Sequence, residues 1–267
     1  MSLDLRGLPT ALFGSGVAER AALTGWDAAI RGGLSTTRRI GFVSLAEGAG
    51  ASSLAHRVTR IVAARRAEPV LAIDVSGNAR GLAQRLDVDP TPANESRTSA
   101  RTTAEALTGL PGRDGWYALS PVDGGAPEAS VDAWLTEAAP ITRFFEVSIT
   151  DFGVRHPLVD LAPCAALCDV VCIVSDATRA SAELARAVAP AIALLPEHPR
   201  TVLALVDHAG DGDAVARAIA ADGTATVSVP FDRGLRDDGG ARTISARRAL
   251  LRLAATLVAA SDPGTAR

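Results

Sequence analysis

The stretch SLAEGAGASSL, residues 44–54, has the glycine and serine spacing of a loop that cradles phosphate. It follows a short apolar run and precedes an alanine-rich stretch of helical character. Gly48 and Gly50 would let the backbone fold closely around an anion. A helix beginning at Ser52 and Ser53 would turn unpaired N–H groups and the positive end of its dipole towards that anion. The Ser52 hydroxyl is placed to bind Mg²⁺ beside a phosphate, so the pattern predicts a nucleotide site.

Two other interpretations of residues 44–54 remain. GAGASS comes close to G-x-G-x-x-G, and Asp74 closes the next predicted strand, as the ribose-binding acid does in dinucleotide folds. However, Ser53 replaces the third glycine, and residues 45–47 separate the strand from Gly48, which argues against a dinucleotide site. The third interpretation is a glycine-rich turn that binds no ligand.

The composition restricts the chemistry further. All 27 basic side chains are arginine, so a phosphate-binding lysine, a Schiff base and a Tyr/Lys dehydrogenase pair are excluded. The net charge of −3 argues against a nucleic-acid-binding protein, which would concentrate basic residues on one face.

Cysteine, histidine and hydropathy patterns indicate a protein without a disulfide framework or a metal cluster. Cys164, Cys168 and Cys172 have neither zinc nor redox spacing, and we expect them to be buried as small apolar side chains. The four histidines are scattered. No apolar run of membrane-spanning length and no secretory leader pattern occurs, so the expected location is the cytoplasm.

Short apolar runs alternate with arginine-studded helical stretches from residue 39 onwards, which predicts an α/β fold with a mostly parallel, doubly wound sheet flanked by helices. In such sheets, ligands bind at the carboxyl ends of the strands. We expect a 1–38 N-terminal extension with a short helix, a single 39–262 domain and a disordered 263–267 tail. The predicted strands cover 39–45, 69–74, 115–120, 144–150, 169–175, 201–207 and 224–230. The predicted helices cover 52–66, 178–195, 212–221 and 245–260. Residues 87–104 are predicted to form a mobile loop that leads into a short helix.

Several segments, in order along the chain, resemble the MinD/ParA class of P-loop ATPases. The loop aligns with K-G-G-x-G-K-[ST]-[ST], VLAIDVSGNARGLAQRL is similar to the second strand and switch I, and SITDFG is similar to the Walker B strand. CDVVCIVSDATRASAELARAV, VSVPFDRGLR and ISARRALLRLAATLVAA are similar to later segments of the class. A Trp-containing N-terminal extension, SITDFG and VPFDRGL further resemble MinD-like proteins associated with actinobacterial type VII secretion.

The resemblance implies a P-loop NTPase fold and assigns nucleotide-binding positions to this chain. Three positions depart from the class: Ala51 replaces the P-loop lysine, Ala46 the signature lysine and Ser76 the second switch I aspartate. Ser52 and Asp151 would bind Mg²⁺ if a Mg-nucleotide binds. The implied, vestigial nucleotide-binding positions are Gly48, Ala49, Gly50, Ala51, Ser52, Ser53, Asp74 and Asp151.

These departures lead to the interpretation of a pseudo-ATPase without catalytic residues, which acts as a scaffold or regulator in type VII secretion. We expect protein partners, with Trp26 and the extension around it as the contact, and no cofactor beyond weakly bound Mg-ATP or ADP. A homodimer and peripheral contact with the inner face of the plasma membrane are left open. The alternatives are an ATP-binding, dimerising switch that needs an arginine directed into the loop, and a dinucleotide-binding oxidoreductase.

Overall fold

The computed structural model describes residues 8–121, 131–210, 215, 219, 224–237 and 240–260, with side chains from Gly16 onwards. The predicted 212–221 helix and 263–267 tail lie outside these residues, apart from positions 215 and 219. The predicted α/β class is confirmed, because helices cover both faces of one eight-stranded sheet.

The sheet is parallel except at one edge. Its strand order is β3-β4-β2-β5-β1-β6-β7-β8, and only the two-residue β3 runs antiparallel to its neighbour. Nearly every residue of the central strands is buried, as expected for a sheet covered on both faces. The strands are β1 Arg38–Ser44, β2 Val70–Asp74, β3 Gly112–Arg113, β4 Trp116–Leu119, β5 Val147–Val154, β6 Val170–Asp176, β7 Arg200–Val206 and β8 Thr226–Val229.

Two apolar layers enclose this sheet. Val70 and Ala72 face the layer that contains the second helix and the last described helix, whereas Leu71 and Ile73 face the opposite layer. The helices are α1 Leu8–Arg31, α2 Ala51–Ala63, α3 Leu82–Arg85, α4 Glu95–Thr98, α5 Thr103–Ala106, α6 Val131–Ala133, a π-helical turn Trp134–Ala138, α7 Ala139–Thr142, α8 Leu161–Ala165, α9 Arg179–Ala193, α10 Arg233–Arg236 and α11 Ile244–Ala260.

Helix α1 is longer than the short helix predicted for the extension, with 24 residues. It packs on α11 and is fastened to the end of α2: Arg66 donates hydrogen bonds to the carbonyl oxygens of Ile30 and Gly32, and Arg65 pairs with Asp27 at 2.9 Å. Trp26 is half-buried and packs against the apolar core, so it helps to hold α1 on the body of the domain.

Two sequence-based predictions need correction. The 87–104 segment already contains the short helix α4 before it leads into α5, and its Arg97 is buried in an ion pair with Glu137 at 2.7 Å, because the π-turn packs against α4. The strand predicted at 144–150 instead covers Val147–Val154, so Asp151 lies within the strand. The three cysteines are buried as predicted, and burial raises the pKa of each thiol.

Candidate functional site

The loop between β1 and α2 has the backbone that a phosphate loop needs. Gly48 and Gly50 have φ angles of 77° and 100°, a region that a side chain disfavours. Gly50 caps α2 without a side-chain hydrogen bond, and the first turn of this 13-residue helix contains no acidic residue. The N–H groups at the start of a helix lack intrahelical acceptors, so they and the helix dipole favour an anion at the amino end of α2.

The side chains of the loop provide little positive charge. Ala51, at the first helical position, is only 5% exposed and belongs to the apolar core cluster, while Ala49 is buried beside it. Ala46 and Glu47 are exposed, and Glu47 lines the adjacent cleft. Ala51 thus places a methyl group where the resemblance places the P-loop lysine. Glu47 places a carboxylate where a polyphosphate would approach the loop.

Asp74 and Asp151 are neighbours across the sheet, because Asp74, the last residue of β2, is the register partner of Asp151 within β5. Both oxygens of Asp74 are already used. One accepts hydrogen bonds from the backbone N–H and the hydroxyl of Ser76, at 3.0 and 2.7 Å, and the other accepts from the N–H of Ala83 at 2.7 Å. Asp74 therefore fixes the turn that leads into α3.

Asp151 is fully buried, and within the described residues only one of its two carboxylate oxygens accepts a hydrogen bond. Its Oδ1 accepts the N–H of Gly153 at 2.9 Å, and its Oδ2 has no hydrogen-bond partner among the described residues. Burial, followed by repulsion from Asp74, raises the pKa of Asp151 to about 7, although Ser52 and Gly153 act in the opposite direction. A cation placed beside Oδ2 would favour the ionised carboxylate.

Ser52 and Asp151 fit a magnesium ion, since a hydroxyl and a buried carboxylate oxygen without a partner are hard oxygen ligands. Mg²⁺ bound to a nucleotide generally takes one or two protein oxygens together with phosphate oxygens and waters.

A cleft of about 1320 Å³ opens above the loop. The loop residues Gly48, Gly50, Ala51, Ser52 and Ser53 line it, but Ala49, Asp74 and Asp151 are not among its lining residues. Five arginines also line the cleft: Arg57, Arg80, Arg85, Arg155 and Arg236.

Arg155 is the site residue that the sequence analysis missed. It is only 8% exposed, and its guanidinium donates hydrogen bonds to the carbonyl oxygens of Val154 and Val75, at 2.8 and 3.1 Å. Its backbone N–H donates to Ser44 at the end of β1. Its position after β5, at the carboxyl edge of a parallel sheet, was the signal that could have identified it.

Asp232, in the VPFDRGL segment, also lines the cleft but is engaged in local structure. It accepts hydrogen bonds from the N–H groups of Leu235, Arg242 and Thr243 and from the Thr243 hydroxyl. Burial alone would raise the pKa of Asp232, but these donors outweigh burial and hold it well below its usual range. This aspartate therefore fastens the loop between α10 and α11.

The mostly parallel sheet and the strand–loop–helix turn form an α/β fold of the kind seen in solved MinD and ParA structures. No protein-family model and no curated protein matches the chain. Among solved structures, it is similar to a ParA family ATPase from Chlorobium tepidum, with a TM-score of 0.61, 16% identity and coverage of 82% of this chain and 98% of that one.

Two further structures support the same fold. The cell division ATPase MinD of Pyrococcus furiosus has a TM-score of 0.61 and 17% identity, covering 81% of this chain and 96% of that chain. The ATP complex of a McdA variant from Cyanothece has a TM-score of 0.59 and 14% identity, covering 82% of this chain and 96% of that chain. The predicted MinD/ParA-type fold is confirmed.

No helix among the described residues is both long and apolar enough to cross a membrane.

Proposed function

We propose that this protein is a pseudo-ATPase of the MinD/ParA fold, which acts as a scaffold or regulator through protein partners. The observation that carries the proposal is Ala51. It occupies the first position of α2, where the resemblance places the phosphate-binding lysine, and its methyl group is buried in the core. The surrounding loop keeps its glycine conformations, so the fold is retained without the lysine charge.

The missing charge affects hydrolysis more than binding. A charge-assisted hydrogen bond contributes about 1.5–3 kcal/mol, or about 10–100-fold in affinity. Lysines of a phosphate loop also stabilise charge that develops in the transition state, so their loss costs additional rate. Glu47 adds repulsion towards a polyphosphate, and Ser76 is committed to Asp74 and carries no carboxylate to orient water.

Weak binding of Mg-ATP or ADP is compatible with this proposal. Ser52 and Asp151 would hold the metal ion, which would supply positive charge to the phosphate oxygens. The backbone N–H groups at the start of α2 would hold the phosphates themselves. We assign no catalytic residue.

A working ATP switch is the second candidate, and the arginines that line the cleft favour it. Arg57 lies on α2 and Arg80 follows the turn fixed by Asp74, so each borders the space above the loop. An arginine can clamp phosphate, although its planar fork is larger than an ammonium group.

The dinucleotide-binding alternative is not supported by the topology. In the dinucleotide fold the second strand lies beside the first, whereas here β5 lies between β1 and β2. Asp74, the proposed ribose ligand, has both oxygens engaged by Ser76 and Ala83.

Thermal unfolding of the full chain with millimolar Mg-ATP, ADP or NAD⁺ tests the proposal. A ligand at 100 times its Kd should stabilise the protein by about 2.7 kcal/mol, which is a shift of several degrees for most domains. We expect a small shift or none with ATP and ADP, and no release of phosphate from ATP. A large shift with steady phosphate release would instead establish the ATP switch.

We further propose type VII secretion as the process, on the basis of the Trp-containing extension, SITDFG and VPFDRGL resemblances. Deletion of the gene should reduce export of type VII substrates, and a copy carrying Asp151→Asn should restore it, since a scaffold does not require the metal-binding carboxylate. Unchanged export after deletion would remove this part of the proposal and leave the pseudo-ATPase assignment untouched.

A further inference from the structure

A second depression, separate from the phosphate loop, lies where α1, α2 and α11 meet. It has a volume of about 590 Å³ and an apolar floor. Leu250 is buried, Leu23, Ile61 and Leu251 are half-buried, and Ile244 is 64% exposed at the rim. We call this depression the α1–α2–α11 groove, and its apolar floor consists of Leu23, Ile61, Ile244, Leu250 and Leu251.

Two rows of arginine border the floor. Arg57, Arg60 and Arg65 come from α2 and the turn that follows it, and Arg247 and Arg248 come from α11. No acidic side chain among the described residues lines the groove. This concentration of positive charge stands out in a chain whose net charge is −3.

Two of these arginines are partly neutralised from α1. Arg65 pairs with Asp27, and Arg248 pairs with Glu19. The Nε of Arg248 is nevertheless buried without a hydrogen-bond partner among the described residues.

Arg60 and Arg247 leave guanidinium donors for a partner. Among the described residues, Arg247 donates only its Nε, to the carbonyl oxygen of Ala241 at 2.8 Å. Arg60 is exposed, and the described part of the chain gives its side chain neither an ion pair nor a hydrogen bond. The groove therefore combines an apolar floor with unsatisfied donors on both sides.

We propose that the α1–α2–α11 groove binds an acidic amphipathic helix of a partner protein. The apolar stripe of such a helix would cover Ile61 and Leu251, and its carboxylates would meet the arginine rows on both sides. A lipid bilayer is a flat surface and fits a concave floor poorly, while a nucleic-acid backbone has no apolar stripe to place there. The inference supplies a partner site for the scaffold role and rests on that role, but it requires no nucleotide.

The test uses a labelled synthetic peptide of about 18 residues, with leucine at helical i, i+3, i+4 and i+7 positions and glutamate on the other face. Binding to the full chain is measured by fluorescence anisotropy, without nucleotide. The matched probes are a scrambled peptide of the same composition, vesicles of phosphatidylglycerol and a short duplex DNA. The variants are Arg60→Glu/Arg247→Glu and, as the control, Arg252→Glu, an exposed arginine of α11 outside the groove.

We expect the amphipathic peptide to bind and the double variant to weaken it about tenfold or more, because opposing charges are replaced by like charges. The Arg252→Glu variant should bind as the unmodified chain does, and all variants should keep its melting temperature within a few degrees. Equal binding of the scrambled peptide, an equal loss in the control variant, or no binding at all would overturn the proposal. Tighter binding to vesicles or DNA than to the peptide would also overturn it. Because nucleotide is absent, none of these failures bears on the pseudo-ATPase assignment.

Discussion

Asp74 and Asp151 lie opposite each other on β2 and β5, but within the described part of the chain only Asp74 has partners for both carboxylate oxygens. Ser76 and Ala83, at the two ends of the turn, donate hydrogen bonds to both oxygens of Asp74. Among the described residues, one buried oxygen of Asp151 has no hydrogen-bond partner, and its pKa is raised to about 7. Neighbouring aspartates on adjacent strands thus divide between a structural role and a buried carboxylate with an unused oxygen.

Asp151→Asn should stabilise the protein near and above pH 7. The folded-state pKa of Asp151 is raised, so ionisation of this group lowers stability as the pH increases from about 4 to about 7. At about 1.4 kcal/mol per pKa unit, the variant should gain up to about 4 kcal/mol at pH 8 and nothing from this source below pH 4. Chemical denaturation at pH 4, 6 and 8 measures this difference, and a gain that did not grow with pH would contradict the assignment.

Asp232→Asn should have the opposite effect, destabilising the protein by about 2–4 kcal/mol at pH 7 through loss of charge-assisted hydrogen bonds. The folded-state pKa of Asp232 is lowered, so its stabilisation is complete above about pH 4 and is lost as the pH falls towards the folded value. The melting temperatures of variant and unmodified chain should therefore approach each other in acid. Asp237→Asn, at an exposed carboxylate, is the control and should change little.

Ala51→Lys should raise the affinity for Mg-ATP by about 10–100-fold, because it returns one charge-assisted hydrogen bond to the phosphate loop. Ala51→Met is the matched control, since it has similar length without charge. Titration calorimetry of both variants gives the dissociation constants. If the methionine variant gained as much affinity for Mg-ATP as the lysine variant, the prediction would be contradicted, because the gain would not depend on charge at this position.

Glu137→Ala should destabilise the protein by about 3–5 kcal/mol, because it leaves the guanidinium of Arg97 buried without its counter-ion. The double variant Arg97→Met/Glu137→Leu removes both charges and should recover most of that loss. Urea unfolding of the single and double variants measures the two effects. A double variant as unstable as Glu137→Ala would show that the ion pair itself is not the source of the stability.

The alternating apolar runs were sufficient to predict the sheet, because burial on both faces leaves continuous apolar strands. They could not predict β3, whose Gly112 and Arg113 are exposed and carry no strand pattern. The π-turn at 134–138 was also missed, because the buried Trp134 and Ala138 have the i, i+4 spacing of an ordinary α-helix and do not mark the wider turn.

The loop glycines and Asp151 could be located from spacing, since each follows or closes an apolar run. The burial of Arg155 could not be predicted from spacing, because it depends on the carbonyl oxygens of Val75 and Val154, which belong to different parts of the chain. The same holds for Asp74: its position was predictable, but its engagement by Ala83 is a tertiary contact across nine residues.

The packing of α1 on α11 has a consequence for how the chain is made. Helix α1 leaves the ribosome well before the helix that covers it, which is translated more than two hundred residues later. Until then Ile30 and Trp26 lack their final surroundings, and the contact adds a long-range step of the kind that slows folding. Biosynthesis therefore leaves an interval in which α1 is open to chaperones, to proteases or to association with other nascent chains.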